Sequence, residues 1–317
     1  MSSEAPEITA VVVTYSPGEH LDAFITTLRD ATTRQTPIIL VDNGSQDGSP
    51  EAAVAAAEIN GTKLTLIRSG SNLGFGRAAN LGIAAATTEW VLVANPDIRW
   101  RSGALDELSA AIARWPKAAA LGPAILTDDG GLYPSARALP TLGNGIGHAA
   151  LGWIWPRNRW TRAYRRDDEE PIERTTGWLS GACLLLRRSA IGGSDGFDPA
   201  YFMYFEDVDL CKRLADRGWQ IVYVPSAMVE HAQGHAASRE PRRMMAEHHR
   251  SAYRFLAGQY PGARWFAVRL AMRAGLRARA VLSVALGRVS EGAAIQQSVT
   301  DLATESTEWS SKESRNE

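Results

Sequence analysis

Trp90 to Asp97, WVLVANPD, is an apolar run that stops on an Asn-Pro-Asp turn with a carboxylate at its tip. Val91, Leu92 and Val93, with no polar alternation, read as a strand buried on both faces, the habit of parallel sheets. In open α/β sheets ligands lie beyond the carboxyl ends of the strands, which makes Asp97 a ligand-contact candidate. Outward from this strand the same rhythm recurs. ITAVVVTYS from Ile8 predicts a strand, HLDAFITTLRDAT a helix, PIILVDNGS a strand, SPEAAVAAAEIN a helix, KLTLIRS a strand and GRAANLGIAAAT a helix. Strand and helix alternate across short Gly/Asn/Asp-rich connections, so the expected core is a parallel sheet covered by helices on both faces. After ALDELSAAIARW, a helix, the pattern loosens through GNGIGHAALGWIWPRNRWTR. It resumes with WLSGACLLLRRSA as a strand, EDVDLCKRLADRG as a helix closed by Gly218, and WQIVYVP as a strand. No internal repeat is visible.

Bulk properties narrow the class. With 317 residues, 45% hydrophobic and a net charge of -1, the chain holds one large core with an appendage or two modest domains, and has no general attraction to nucleic acid. Cys183 and Cys211 lack CxxC spacing and sit in apolar or helical surroundings, as core thiols of a reducing cytoplasm do; no signal peptide precedes Ile8. No stretch reaches the ~18 uninterrupted apolar residues of a membrane span. Charge is nevertheless uneven. Eleven arginines fall between Arg239 and Arg288 against Glu240 and Glu247, and a Ser/Thr/Glu-rich acidic stretch, 291–317, follows and reads as a disordered tail.

GFGRAA, Gly74 to Ala79, follows a strand, opens a helix and fits a dinucleotide fingerprint, with Asp97 about twenty residues on as that fingerprint asks. A nicotinamide dehydrogenase is therefore one reading. Against it, the fingerprint belongs to the first strand-helix turn, whereas a complete strand-helix-strand unit ending in VDNGSQDGS comes first. Glycines that let a helix pack close to a strand explain the same letters.

A second reading uses more of the chain. VVVTYS, VDNGSQDGS, NLGFGRAANLG, NPD and FEDVDLCKRLADRGW occur in the order and spacing of the inverting family-2 glycosyltransferases, and from about Ile8 to His235 the sequence resembles that family. SGACLLLRR, GFDPAYFMYFEDVDL and VEHAQGHAAS look most like its bacterial rhamnosyltransferases acting on lipid-linked sugars. The resemblance implies a GT-A fold: Rossmann-like α/β, a mostly parallel sheet with helices on both faces, plus a C-terminal helical segment that associates with membrane. Residues 1–237 would form the catalytic domain, with a nucleotide-binding half at about 8–100 and an acceptor half at about 101–237. A basic amphipathic helical region, 238–290, and an acidic tail, 291–317, would follow.

The resemblance also assigns roles. Asp42 would accept the imide N–H of uracil or thymine, with Thr14, Tyr15 and Asn43 lining base and ribose; an Asx-turn within DNGS is its purely structural alternative. Gly74, Gly76 and Arg77 would approach the donor diphosphate, with Asn80 orienting their loop. Asp97 would help hold a divalent cation, Mg or Mn, that neutralises the departing diphosphate. It is the last acid of the family's D-x-D motif, and because Asn95 stands in place of the first, resting metal affinity should be low. His231 would be a further ligand, and His235 a weaker candidate.

Inverting transfer is one in-line displacement and needs a base for the acceptor hydroxyl. Glu206, Asp207 and Asp209 crowd one helix start, where acids also serve as caps. The family pattern makes Asp207 the base and Glu206 a neighbour shaping the acceptor site, while Asp209 is expected to cap. Trp178, Gly181 and Ala182 would line the acceptor sugar. The Trp/Arg mixture from Trp153 to Arg166 suits a membrane interface or a lipid diphosphate. Arg269, Arg273 and Arg277, spaced i, i+4, i+8, predict a basic stripe on an in-plane helix. Packing against a partner subunit is its alternative and leaves a homo-oligomer open.

The expectation is thus a cytoplasmic enzyme, peripheral on the inner face of the cell membrane, moving L-rhamnose from dTDP-rhamnose to a polyprenyl-diphosphate-linked N-acetylglucosamine. Galactofuranosyl or glucosyl transfer from a UDP donor is the nearest alternative, and no nucleic-acid partner is implied. A non-catalytic binding module would have no use for Asp42, Asp97 and Asp207 at three separate edges.

Overall fold

The computed structural model describes residues 6–140, 171–192, 196–232 and 241–285. The first half is a strict alternation: β1 (Ile8–Thr14), α1 (His20–Asp30), β2 (Ile38–Asp42), α2 (Ser49–Asn60), β3 (Leu64–Arg68), α3 (Phe75–Ala85) and β4 (Trp90–Ala94). Then come β5 (Ile98–Trp100), α4 (Ala104–Arg114), β6 (Ala118–Leu126), β7 (Leu132–Tyr133), β8 (Ala136–Arg137), β9 (Arg174–Thr175), β10 (Trp178–Leu179), β11 (Cys183–Arg187), α5 (Glu206–Asp216) and β12 (Gln220–His231). Two further helices, α6 (Pro241–Gly258) and α7 (Phe266–Ala285), end the described chain.

The main sheet runs β3-β2-β1-β4-β11-β6-β12-β5. β3, β2, β1 and β4 are parallel neighbours, as are β6 and β12, whereas β11 lies antiparallel between β4 and β6 and β5 antiparallel on β12. The sheet is therefore mixed, though most of its strands share one direction. Every residue of β1, β2 and β4 is buried, which is why these strands carry unbroken apolar runs. One face packs on Leu21, Phe24 and Leu28 of α1 and Leu105 and Leu108 of α4. Each such side chain taken from water stabilises by roughly 1.5–3 kcal/mol. On the other face α3 comes unusually close: a Cβ on Gly82 would stand 2.3 Å from Val11 Cγ1 and 3.1 Å from Val41 Cγ2.

The structure goes beyond the sequence pattern in three places. WLSGACLLLRRSA is two strands, β10 and β11, interrupted at Ser180–Ala182. AAALGPAIL, which carries no clear strand or helix pattern, is the nine-residue β6 at the heart of the second half. WQIVYVP continues as β12 through irregular pairing between Val224 and Met228 to His231.

The described residues fall into two compact units, 6–139 with 171–192 and 196–232 in the first, Pro140 with 241–285 in the second. In the second, α7 packs along α6. None of the described helices is long and apolar enough to cross a membrane. The expected arginine stripe is only partly free on α7. Arg269 closes the preceding turn by donating to Tyr260 O and Gly262 O at 2.7 Å, and Arg273 lies 6.0 Å from the Tyr253 ring centre. The tail 291–317, His235 and the Trp153 to Arg166 segment lie outside the described residues.

Strand direction positions the site. The carboxyl ends of β1, β2, β4 and β12 meet one edge of the sheet, and antiparallel β11 begins there. Thr14, Asp42, Asn95, Asp97, Ala182 and His231 are therefore all set on that edge.

Candidate active site

At the first corner, Asp42 ends β2 opposite Thr14 of β1. Its Oδ1 accepts the N–H groups of Gly44 (3.2 Å) and Ser45 (2.8 Å), an Asx-turn that fixes the carboxylate. The Thr14 hydroxyl is fully buried without a hydrogen-bond partner, and Tyr15 beside it is exposed. Orphaned buried hydroxyls are uncommon and mark places where a ligand or water belongs. Asn43 is committed to the protein itself: its Oδ1 accepts Leu73 N–H at 2.9 Å and its Nδ2 donates to Asn72 Oδ1 at 3.1 Å. It therefore ties β2 to the Ser69–Gly74 loop.

The Gly-rich stretch works as a clamp. Gly74 has φ +84°, and its N–H donates to Asn72 Oδ1. A Cβ there would stand 2.2 Å from Phe202 O, and the next amide, Phe75 N–H, donates to that same carbonyl at 3.1 Å. A Cβ on Gly76 would come within 2.8 Å of Phe197 Cβ. Arg77 Nε donates to Pro199 O at 2.6 Å, and Asn80 holds both the N–H (2.9 Å) and the carbonyl (2.7 Å) of Phe197. Gly74, Gly76, Arg77 and Asn80 thus bolt the start of α3 to residues 197–202, the segment leading into α5. The glycines of GFGRAA therefore pack the helix start against this loop rather than against a strand, where Gly82 makes the close approach.

Beyond β4 lies the third group. Asp97 Oδ1 is buried, accepts no hydrogen bond, and stands 3.1 Å from His231 Nε2; that nitrogen is 3.4 Å from Asn95 Nδ2. β5 pairs its first residue, Ile98, with His231, and Ala232 N–H donates to Asp97 O, so the backbone fixes this approach. Two lone-pair atoms about 3 Å apart without an aligned hydrogen bond suit neighbouring ligands of one hard cation, whose bonds are about 2.0–2.1 Å. Among the described residues no third His, Cys, Asp or Glu completes such a cluster. A metal there would draw its remaining oxygens from water and substrate.

The fourth group holds the acids. Tyr204 and Phe205, both at φ +66°, make a left-handed entry into α5, a conformation costing roughly 1–3 kcal/mol per residue away from glycine. It delivers Glu206 and Asp207 to the edge. Asp207 keeps part of its surface open, accepts Gly181 N–H on Oδ2 and its own helix's Val208 N–H on Oδ1, both at 2.8 Å. Glu206 is buried, and its Oε2 has no partner. Burial first, and then the neighbouring Asp207 charge, push the Glu206 carboxyl up to about 8. Asp207 is also raised by burial, but the two N–H donors and the Arg137 cation oppose the rise. Burial thus raises both carboxyls of the pair, with more opposing donors gathered on Asp207 than on Glu206.

Ser180–Ala182 links the last two groups. Gly181 N–H binds Asp207, while Ala182 O accepts Asn95 N–H at 2.9 Å. Trp178 is buried, its Nε1 donating to Ala138 O. Asp209 does not cap; it forms an ion pair with Arg213 at 2.7 Å, and Arg213 donates on to Gly196 O. Sequence reasoning passed over Arg137, buried and stacked over Tyr133 and Trp178 at 5.1 and 5.2 Å. An isolated arginine carries no spacing signal.

Comparison with known proteins supplies the family. Residues 9–192 match the family described as Glycosyl transferase family 2. The N-acetylglucosaminyl-diphospho-decaprenol L-rhamnosyltransferase of Mycobacterium tuberculosis (strain ATCC 25618 / H37Rv) is 48% identical over 285 residues, 86% of this chain and 92% of that enzyme. The rhamnosyltransferase WbbL of Escherichia coli (strain K12) is 38% identical over 80 residues, 25% of this chain and 30% of that protein. In fold, the mannosyltransferase PcManGT from Pyrobaculum calidifontis, solved with GDP-Man and Mn2+, superposes with a TM-score of 0.53 at 17% identity, covering 96% of this chain and 81% of that one. An α/β sheet of GT-A architecture, acids gathered at its carboxyl edge and a family match over more than half the sequence lead to one statement: the chain belongs to glycosyl transferase family 2 and is a glycosyltransferase.

Proposed function

We propose that this glycosyltransferase moves L-rhamnose from dTDP-rhamnose to a polyprenyl-diphosphate-linked N-acetylglucosamine, with inversion at the sugar carbon. The observation that carries the reading is the near full-length likeness, 48% over 86% of this chain, to an enzyme named for rhamnosyl transfer to a decaprenyl-diphosphate-linked N-acetylglucosamine. Asp42, fixed by its turn, offers Oδ2 to the imide N–H of the base, and the Thr14 hydroxyl stands ready beside it. Asp97 and His231 hold a divalent cation, Mg or Mn, which supplies charge neutralisation at the diphosphate. Asp207 takes the proton of the acceptor hydroxyl; that oxygen bonds to the anomeric carbon, and the bond from that carbon to the diphosphate oxygen breaks, its electron pair leaving with dTDP. Glu206 and the Gly181–Ala182 turn orient the acceptor.

Attachment to the inner face of the membrane would come from the second unit, whose α7 exposes Phe266, Leu270 and Arg277, with Arg264 exposed in the turn just before it. A competing donor, a UDP-sugar, shares the imide that Asp42 reads. Incubating the protein with radiolabelled dTDP-rhamnose, UDP-galactofuranose or UDP-glucose and a polyprenyl-diphospho-N-acetylglucosamine should label lipid only with the first. Label from a UDP-sugar alone would replace the donor assignment.

A further inference from the structure

Residues 196–205 bring Glu206 and Asp207 to the sheet edge, yet they form neither helix nor strand. Their path is set by bonds from the helices on either side. Asn80 of α3 takes both backbone groups of Phe197: its Nδ2 donates to Phe197 O at 2.7 Å, and its Oδ1 accepts Phe197 N–H at 2.9 Å. A carboxamide can do this because it carries a donor and an acceptor on one planar head, whereas a carboxylate lacks the donor. Gly196 closes the joint, since a Cβ there would stand 2.4 Å from Asn80 Oδ1. From α5, Arg213 donates to Gly196 O and to Asp209 Oδ2, each at 2.7 Å, so the chain from Gly196 to Arg213 is tied back on itself. Between the joint and the two acids lie Tyr204 and Phe205, both at φ +66°. Strain of this kind persists only where the surroundings over-determine the backbone. Helix α5 fixes one end of the strained pair. The bonds from α3, of which the Asn80 joint is the first along the segment, fix the other.

We infer that Asn80 is a positioning residue for the acceptor side of the transfer reaction: by holding Phe197 at both backbone groups it sets the path of residues 197–205, and so the direction from which Glu206 and Asp207 meet the acceptor. The inference rests on the proposed reaction, with Asp207 as its base. It departs from the role that the family resemblance gives Asn80, orienting the loop that approaches the donor diphosphate. That loop has ties of its own: Asn43 Oδ1 accepts Leu73 N–H and Asn72 Oδ1 accepts Gly74 N–H. Both polar atoms of the Asn80 side chain reach instead to a residue 117 positions away. The acids also lean on α3 directly, because a Cβ on Gly76 would stand 3.6 Å from Glu206 Cβ. Opening the Asn80 joint therefore frees the start of the segment while leaving the donor loop tied.

The test compares the full-length chain with Asn80→Ala, Gly196→Ala and the double variant, using dTDP-rhamnose and the lipid-linked acceptor well below each melting temperature. Asn80→Ala should lower kcat by about ten- to a hundredfold, the cost of misplacing a catalytic group by a fraction of an ångström to about 1 Å. Donor KM, and the dissociation constant of dTDP measured by calorimetry, should stay within about twofold. Gly196→Ala presses on the same joint from the other side and should give the same pattern. The double variant should cost little more than either single one, because all three open one contact. A loss of dTDP affinity that accounts for the whole fall in kcat/KM overturns the inference and returns Asn80 to the donor loop. A lowered melting temperature with unaltered kcat also overturns it, leaving Asn80 a merely structural residue, and so does full additivity of the two substitutions. If Asn80→Ala does not fold, Asn80→Asp decides: it keeps an acceptor for Phe197 N–H, loses the donor to Phe197 O, and should lower kcat at constant dTDP affinity. Full activity of Asp207→Asn would instead strike the base assignment, whereas a fully active Asn80→Ala beside an inactive Asp207→Asn strikes this inference alone.

Discussion

Glu206 combines two observations that oppose its ionisation: a buried carboxyl with an unpartnered Oε2, and an acidic neighbour in Asp207. Its folded carboxyl is raised above the unfolded value, so the native state binds a proton that the unfolded chain has already released. Its contribution to stability is whole below about pH 4.5 and is lost as pH rises toward about 8. Glu206→Gln removes that titration and should flatten the fall in melting temperature between pH 5 and 8. At pH 8 the variant should melt higher than the parent, by about 2–4 °C for each kcal/mol recovered. A parallel decline in both proteins would mean that Glu206 titrates normally. Asp97 and His231, the proposed metal ligands, obey different chemistry. Two ligands make a weak site, so calorimetry should find Mn2+ binding to the intact protein slight alone and stronger by at least about tenfold with dTDP present. Asp97→Ala should abolish that enhancement without lowering the melting temperature, and unchanged binding would remove Asp97 from the site.

At the scale of elements, the contact between α3 and the segment entering α5 would couple the proposed donor and acceptor halves. Gly74 is its tightest point, with positive φ and no room for a methyl against Phe202 O. Gly74→Ala should destabilise by about 2 kcal/mol or more, from strain at φ > 0 together with the clash. It should also depress kcat beyond what the stability loss explains, because the displaced segment carries Glu206 and Asp207. Denaturant melts beside kcat measured well below the melting temperature separate the two effects, and an unaltered kcat would uncouple the clamp from the base. The alternation of the first half was legible because β1, β2 and β4 are buried on both faces and carry unbroken apolar runs. β6 was not, since AAALGPAIL has weak strand formers and an internal Gly-Pro; Gly122 is there because Leu179 Cδ2 would stand 3.0 Å from a Cβ. The break in WLSGACLLL was equally hidden, because Ser180–Ala182 turns to reach Asn95 and Asp207, and those partners lie far along the chain. Asn80 shows the general limit. Its residue type fitted a loop-orienting role, but the loop it holds is 117 residues away, a pairing no local pattern encodes.

At the scale of the whole molecule, a lipid-linked acceptor requires an enzyme that works at a membrane, while none of the described helices crosses one. In the second unit, Phe266 and Leu270 stand one helical turn apart, 63% and 56% exposed, next to Arg264, with Arg277 exposed further along α7. Arg269 is absorbed by the turn before the helix and Arg273 leans on Tyr253, so the basic stripe is thinner than its i, i+4, i+8 spacing promised. The proposed attachment would therefore need both parts: apolar side chains that enter the interface, and cations worth about 1 kcal/mol each near an anionic surface. Phe266→Glu with Leu270→Glu should release the protein from phosphatidylglycerol vesicles in a flotation assay, and Arg264→Ala with Arg277→Ala should weaken binding by roughly thirtyfold, about 1 kcal/mol for each cation. Raising salt to about 1 M, where screening acts within roughly 3 Å, should mimic the arginine variants more than the apolar ones. Both double variants should retain transfer to a short-chain, water-soluble acceptor, because α7 carries none of the residues assigned to the reaction. If the apolar variant still floats with the vesicles but runs at a smaller mass in light scattering, Phe266 and Leu270 cover a second copy of the chain, and the membrane contact lies elsewhere.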